Sequence, residues 1–193
     1  MAPYAKECDC LLQITAKAQS AAEAEEMIKP VMERVCARLG EYVYGIDIEC
    51  VEERVIQLLR ERSLRFAAAE SCTGGELAKR FTDIPGASAA FLGGVVTYTN
   101  AAKTALLGID PALIEEKGAV SREVAVEMAE RVRRLTGADI GVGVTGLAGP
   151  EGDGVHPVGT VFVSMAVEGQ TFVKELRLGE RRTRSFIRRM AGN

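Results

Sequence analysis

The chain has 193 residues, of which 47% are hydrophobic and 26% charged, and its formal net charge is −3. This length and balance are typical of one folded domain with a small appendage, and they exclude a disordered chain. The net negative charge does not favour binding to nucleic acid, so no nucleic-acid partner is expected. No stretch of about 18 apolar residues predicts a membrane span, so no association with a membrane is expected.

The N-terminal segment predicts a small β-α-β unit. Residues 8–17 alternate loosely and indicate a strand, Ser20 caps a helix that ends at Gly40, and residues 42–48 indicate a second strand. A unit of this size is too small to be stable alone. The pattern therefore predicts a partial domain.

The cysteines of the chain indicate reduced thiols. Five cysteines at irregular spacing do not form a disulfide framework, and the pair Cys8 and Cys10 has only one histidine in the chain to complete a metal set. That histidine, His156, lies at the exit of a glycine-rich loop, where a structural role is favoured over a Ser-His-Asp triad. With no signal-peptide pattern, we expect a cytoplasmic protein without metal or cofactor.

The boundary between the N-terminal unit and the next domain is predicted at residues 47–53. A strand-to-helix turn follows it. Residues 64–69 are short and apolar enough for a buried strand, and residues 76–81 carry apolar side chains at helical spacing. Ser71 therefore lies near the carboxyl end of a strand, at the positive end of a helix dipole. Unpaired backbone N–H groups are expected at Thr73, Gly74 and Gly75. An N-cap followed by a flexible turn is the alternative.

The run at residues 91–99 predicts a second buried strand, which delivers Tyr98 and Asn100 to its carboxyl end. The helix that follows ends at Gly108 and has Lys103 on its first turn. A cation there opposes the helix dipole, which lowers the lysine pKa in the direction that a general base requires. A solvated surface lysine is the alternative.

A second glycine loop follows a third predicted strand. Ser121 caps an amphipathic helix, and the strand at residues 139–144 then leads into the loop, where open α/β sheets bind ligands. Candidate ligand-binding residues of the loop are Thr145, Gly146 and Gly149. A β-hairpin is predicted over residues 159–178, and a short basic helix over residues 180–190.

The motifs that are present favour acyl transfer. The sequence has no Walker loop and no G-x-S-x-G, and a serine without a usable histidine needs another base. A lysine with a lowered pKa is the known alternative, so Ser71 would attack a carbonyl while Lys103 takes its proton. N–H groups of the two glycine loops would hold the oxyanion. Cys72 ranks behind Ser71 because no histidine is placed to make its thiolate.

Four blocks of residues resemble, in the same order, the C-terminal domain of the CinA family of competence/damage-inducible proteins. The blocks are 69–75, 94–108, 143–150 and 157–161. The resemblance implies a nicotinamide-nucleotide amidohydrolase of pyridine-nucleotide salvage, which converts nicotinamide mononucleotide to nicotinate mononucleotide and ammonia without metal. It implies that Ser71 is the nucleophile and Lys103 its base, assisted by Tyr98 and Thr145. Arg181 matches a late basic position and is, with the two glycines after Thr73, a candidate for holding the substrate phosphate.

The expected fold is a three-layer α-β-α sandwich with a central mixed sheet at 50–193, after a partial β-α-β linker domain at 1–49. Residues 4–50 resemble the latter part of the linker domain of full-length CinA proteins, whose large N-terminal domain is associated with ADP-ribose hydrolysis. That domain is missing from this sequence, so we expect no pyrophosphatase activity. A homodimer is expected. The alternative function is a catalytically silent module that binds a nucleotide or a protein partner through the glycine loops.

Overall fold

A computed structural model describes residues 1–5 and 9–193, which divide into two compact units, Met1–Arg54 and Val55–Asn193. The predicted start of the first strand at Cys8 lies outside the described residues. In the part of the chain that the structure describes, no helix is long and apolar enough to cross a membrane.

The first unit contains a two-stranded sheet and one long helix. Strand β1 (Ala2–Ala5) pairs antiparallel with β2 (Cys10–Gln13), and α1 (Ala21–Leu39) follows. The hydroxyl of Ser20 accepts a hydrogen bond of 3.2 Å from the Glu23 N–H, so the predicted N-cap is confirmed. Helix α2 (Val51–Glu61) contains the division between the units.

The strand predicted at residues 42–48 is wrong, and with it the β-α-β order of this unit. A 3-10 turn at Gly40–Tyr42 replaces the start of that strand. Asp47 then adopts a φ of 55°, in the left-handed region, which an extended strand does not contain. The described elements before α2 therefore run β-β-α.

A five-stranded mixed sheet forms the middle of the second unit. Its strands are β3 (Phe66–Glu70), β4 (Phe91–Val96), β5 (Ile140–Gly146), β6 (Thr160–Val167) and β7 (Gln170–Arg177). The order is β4-β3-β5-β6-β7, and β3 is parallel to both of its neighbours whereas β6 is antiparallel to both of its own. Because β3, β4 and β5 are parallel, their carboxyl ends meet at one edge of the sheet.

Helices cover both faces of this sheet. They are α3 (Glu76–Thr82), α4 (Asn100–Leu107), α5 (Pro111–Lys117), α6 (Arg122–Thr136) and α7 (Arg184–Ala191), together with the end of α2. On β3, Ala67 and Ala69 pack with Val124 of α6, whereas Phe66 packs on the opposite face against Phe81 of α3. The predicted three-layer sandwich with a mixed sheet is confirmed.

Helix α6 lies directly on β5 because two residues of that strand have no side chain. A Cβ atom at Gly143 would lie 2.5 Å from the Ala125 carbonyl oxygen, and one at Gly141 would clash with the Ala129 carbonyl oxygen. No side chain fits at either position, so the helix backbone rests on the strand backbone.

Capping side chains explain why two predicted elements are too long. Strand β4 ends at Val96 because Thr99 accepts a hydrogen bond of 3.1 Å from the Ala102 N–H and so begins α4. Helix α7 begins after Thr183, whose hydroxyl accepts a hydrogen bond of 3.3 Å from the Phe186 N–H. Both side chains satisfy N–H groups that the first helical turn leaves without a partner.

Candidate active site

Ser71 and Lys103 form a hydrogen-bonded pair at the carboxyl edge of the sheet. Ser71 follows β3 directly, and its N–H donates to the Val144 carbonyl at 2.9 Å, which extends the pairing of β3 with β5. From the first turn of α4, Lys103 Nζ donates to Ser71 Oγ at 2.9 Å and to the Thr97 carbonyl at 2.9 Å. The structure thus brings together the two side chains that the sequence analysis paired as nucleophile and base.

Burial makes the Lys103 amine easy to deprotonate. The residue is 1% exposed. This desolvation lowers its pKa from 10.5 to about 8, because the charged form loses its hydration. An amine with such a pKa is neutral in an appreciable fraction of molecules near neutral pH, so it can accept the proton of a neighbouring hydroxyl.

Cys72 is unsuited to be the nucleophile of this turn. Its side chain is buried against Val144 and Ile187. Burial raises the pKa of the thiol to about 11, so the thiol stays protonated near neutral pH. Since the thiolate is the reactive form, Ser71 remains the better candidate.

A buried carboxylate occupies the helix terminus beside the serine. Glu70 is 1% exposed, and its carboxylate accepts hydrogen bonds from the N–H groups of Gly75 at 2.9 Å, Leu77 at 3.1 Å and Ala78 at 2.8 Å. The Leu77 and Ala78 N–H groups lie in the first turn of α3 and the Gly75 N–H belongs to its N-cap residue, and none of the three has a partner within the helix. The carboxylate satisfies them and complements the positive end of the helix dipole.

The expectation of unpaired N–H groups at Gly74 and Gly75 is therefore wrong. The Gly75 N–H donates to Glu70, and the Gly74 N–H donates to the Ser71 carbonyl at 3.1 Å. A substrate phosphate at this terminus would also meet the negative charge of the Glu70 carboxylate. An oxyanion hole on this turn would have to use the backbone N–H groups of Cys72 and Thr73.

Arg184 bridges the two loops on either side of Ser71. Its guanidinium donates to the Tyr98 hydroxyl at 2.5 Å and to the Gly149 carbonyl at 2.5 Å. Tyr98 follows β4 and is 56% exposed, so it is not a core aromatic residue. Both acceptors are uncharged, so neither of them neutralises the positive charge of the guanidinium. Arg184 is not among the residues predicted from the sequence, where a short basic helix over residues 180–190 was the signal for cations in this segment.

Four further candidates lie outside these contacts. The hydroxyl of Thr145 donates to the Ala119 carbonyl at 2.8 Å, and Gly146 is the last residue of β5. Asn100 lines a groove of about 560 Å³ between α4 and α5, whose lining includes neither member of the serine-lysine pair. Arg181 is exposed in the turn before α7. Their functional roles stay predictions.

The surroundings of His156 fit a structural residue. Its ring meets the ring of Phe162 edge-on, with 5.7 Å between the centroids. Within residues 1–5 and 9–193, no group of three or more His, Cys, Asp or Glu side chains is placed to hold a metal ion.

Family models match both parts of the chain. The model described as CinA C-terminal domain matches residues 48–192, and the model described as damage-inducible protein CinA KH domain matches residues 1–45. A CinA-like protein of Kosmotoga olearia is 44% identical over 180 residues, which are 93% of this chain and 44% of that protein. A putative competence-damage inducible protein of Caldanaerobacter subterraneus is 47% identical over 191 residues, 98% of this chain and 46% of that protein. The chain thus spans less than half the length of these curated relatives.

Solved structures share the fold. The competence/damage inducible protein CihA from Agrobacterium tumefaciens superposes with a TM-score of 0.71 at 38% identity, covering 78% of this chain and 92% of that one. A CinA superfamily protein from Klebsiella pneumoniae 700603 gives a TM-score of 0.69 at 32% identity, covering 75% and 94%. The mixed sheet, the ordered sequence blocks and these matches agree that the chain belongs to the CinA family.

Proposed function

We propose that this chain is an amidohydrolase that releases ammonia from nicotinamide mononucleotide, with Ser71 as nucleophile and Lys103 as base. The observation that carries the proposal is the 2.9 Å hydrogen bond between Lys103 Nζ and Ser71 Oγ, made by a buried amine. Geometry and burial support hydrolysis through an acyl-enzyme. The choice of nicotinamide mononucleotide rests on the resemblance to the CinA family.

Each step of the proposed reaction uses the same pair of residues. Ser71 Oγ attacks the carboxamide carbon while Lys103 Nζ accepts its proton. The carbon–nitrogen bond then breaks, Lys103 returns the proton to the leaving nitrogen, and ammonia departs from an ester on Ser71. Water attacks that ester while Lys103 accepts a proton from the water, and Lys103 returns this proton to Ser71 Oγ as the ester bond breaks and nicotinate mononucleotide leaves. The backbone N–H groups between Ser71 and Gly74 would stabilise the oxyanion.

Ammonia release from nicotinamide mononucleotide by the purified chain tests the proposal. We expect release in the presence of EDTA, and a fall of at least about a thousandfold in kcat/KM for Ser71→Ala, because the variant lacks the hydroxyl that would form the ester. Ser88→Ala, at an exposed serine, is the control and should retain wild-type activity. A folded wild-type chain that releases no ammonia would contradict the proposal and favour the silent binding module.

Arg184 is the side chain that we expect to bind the substrate phosphate. Its guanidinium lies between Tyr98 and Gly149 and has neutral acceptors there. Arg184→Gln should raise the KM for nicotinamide mononucleotide by about tenfold and leave kcat nearly unchanged, since the contact is uniform through the reaction. Nicotinamide riboside lacks the phosphate, so its kinetics should not change.

The parallel variant Arg181→Gln compares the two arginine candidates in the same assay. If KM rises only for Arg181→Gln, phosphate binding would be assigned to Arg181, the position that the resemblance indicates. Equal effects of Arg184→Gln on both substrates would exclude a phosphate contact at Arg184.

A further inference from the structure

Arg188 of α7 holds a carbonyl of the turn that carries Ser71. Its Nε and Nη2 donate to the Thr73 carbonyl oxygen at 3.2 and 2.8 Å, across 115 positions of sequence. The hydrogen bond that α3 itself offers to this oxygen, from the Glu76 N–H, is long at 3.4 Å. The guanidinium is therefore the main partner of the Thr73 carbonyl.

The peptide that Arg188 holds is also bonded to the nucleophile residue. The Thr73 carbonyl and the Gly74 N–H belong to one planar peptide unit, and that N–H donates to the Ser71 carbonyl at 3.1 Å. Rotation of this peptide would break both contacts at once. Gly74 has a φ of 61°, and glycine places little steric resistance on such a rotation, so the orientation depends on its hydrogen bonds.

Helix α7 is firmly seated where it delivers Arg188. Ile187 is completely buried and Ala191 nearly so, and both pack in one cluster with Cys72 of the turn and Val144 of β5. A Cβ atom at Gly74 would lie 3.1 Å from Arg188 Nη2, so a glycine at this position lets the guanidinium approach the backbone closely.

Opposite charges hold the two sides of the turn. The Glu70 carboxylate binds N–H groups after the turn, and the Arg188 guanidinium binds a carbonyl within it. Charge-assisted hydrogen bonds of this kind are about twice as strong as neutral ones. The two side chains thus fix the backbone from Ser71 to Gly75 in one conformation.

We propose that Arg188 is a positioning residue, which locks the peptide between Thr73 and Gly74 and so keeps Ser71 in its reactive orientation toward Lys103. This inference rests on the proposed function in one respect, the role of Ser71 as nucleophile, and does not depend on the identity of the substrate.

The test is the rate at which a fluorophosphonate labels Ser71, followed by intact mass. In this reaction Ser71 Oγ bonds to phosphorus, the phosphorus–fluorine bond breaks, fluoride leaves and the hydroxyl proton passes to Lys103. Arg188→Met keeps an unbranched apolar side chain without the donors and should lower the second-order rate constant by about tenfold or more. Arg188→Lys supplies a single donor group and should restore part of the rate.

Arg182→Met, at an exposed arginine of the same segment, is the matched control and should label at the wild-type rate. All rates are measured at temperatures well below the unfolding midpoint of each variant. If Arg188 only stabilises the fold, the rate constant of Arg188→Met will equal that of the wild type, and this result would overturn the inference. If Arg188→Met does not fold, the labelling rate of Arg188→Lys decides. A rate below that of the wild type in a folded chain would support the inference, and a wild-type rate would overturn it.

Substrate kinetics separate this inference from the proposed function. With nicotinamide mononucleotide, Arg188→Met should lower kcat and leave KM nearly unchanged, as expected for an effect on the nucleophile. If the wild type labels but hydrolyses no nicotinamide mononucleotide, the proposed substrate is wrong and the labelling series still decides the role of Arg188. A wild type that is not labelled at Ser71 would overturn both.

Discussion

Lys103→Met is expected to lower kcat/KM for nicotinamide mononucleotide by at least about a hundredfold in a chain that remains folded. Methionine has a similar apolar stem and fills most of the same buried space, but it cannot accept the proton of Ser71, and general-base catalysis contributes about a hundred- to ten-thousandfold. Ammonia release under saturating and limiting substrate measures the effect. Lys117→Met, at an exposed lysine of α5, is the control, and an equal loss in both variants would contradict the assignment of the base.

The same amine predicts how wild-type activity depends on pH. Lys103 acts as a base only when neutral, and burial lowers its pKa to about 8. The neutral fraction rises about tenfold per pH unit below that pKa, so kcat/KM should rise with pH and level off above about pH 8. A plateau that is already complete at pH 6 would exclude Lys103 as the titrating base.

Lys103→Met should not lower stability at neutral pH, although it lowers activity. The pKa of Lys103 is about 8 in the folded chain and 10.5 as its ordinary value, so between these two values the unfolded chain binds more protons and stability rises with pH. Below pH 8 the buried charge costs about 3 kcal/mol, before the hydrogen bonds to Ser71 and Thr97 are counted. We therefore expect the thermal midpoint of the variant at pH 7 to be no lower than that of the wild type.

Glu70→Ala is expected to have the largest effect on stability among the site variants. Three N–H groups at the start of α3 lose a charged acceptor at once. Hydrogen bonds to charged groups are worth about 1.5–3 kcal/mol each and are not additive, so a loss of about 3 kcal/mol or more in the free energy of unfolding is expected. Urea denaturation measures the loss, and Ser71 labelling should slow as the turn loosens.

Two further variants make the Glu70 prediction specific. Glu70→Gln keeps one carbonyl oxygen as acceptor but turns an amide toward N–H donors, so it should lie between wild type and Glu70→Ala. Glu123→Ala removes an exposed carboxylate from the first turn of α6 and should cost at most about 1 kcal/mol, the usual size of a surface helix-dipole contribution. Equal losses for Glu70→Ala and Glu123→Ala would show that burial of Glu70 is unimportant.

The sandwich and the proximity of Ser71 to Lys103 could be predicted from the sequence for a physical reason. Short apolar runs such as residues 64–69 are long enough only for strands, and residues that follow parallel strands must meet at one edge. Ser71 and Lys103 both lie just beyond such strands, so their proximity follows from topology. Helix α5 was not predicted, although the sequence carries a helix-start signal there: Asp110 is its N-cap and Pro111 its first residue.

The remaining parts of the site depend on side-chain directions and on distant segments. A glutamate before a serine does not reveal that its carboxylate turns back onto the next helix, as Glu70 does. Arg184 and Arg188 contact loops that lie up to 115 positions away. The strand predicted at residues 42–48 failed because propensity alone does not reveal the left-handed backbone of Asp47.

The close packing of α6 on β5 restricts which residues this sequence can change during evolution, and this restriction is independent of the proposed chemistry. Gly141 and Gly143 have no side chain that could take part in chemistry, but any side chain at these positions would push α6 off the sheet. Substitution of Ser71 and Lys103 would remove the chemistry proposed for the site and keep the fold, whereas a side chain at either glycine would displace α6 from the sheet. Related chains without the serine and the lysine should therefore still carry G-x-G in this strand, because the two glycines are needed for the packing of the helix and not for the proposed chemistry.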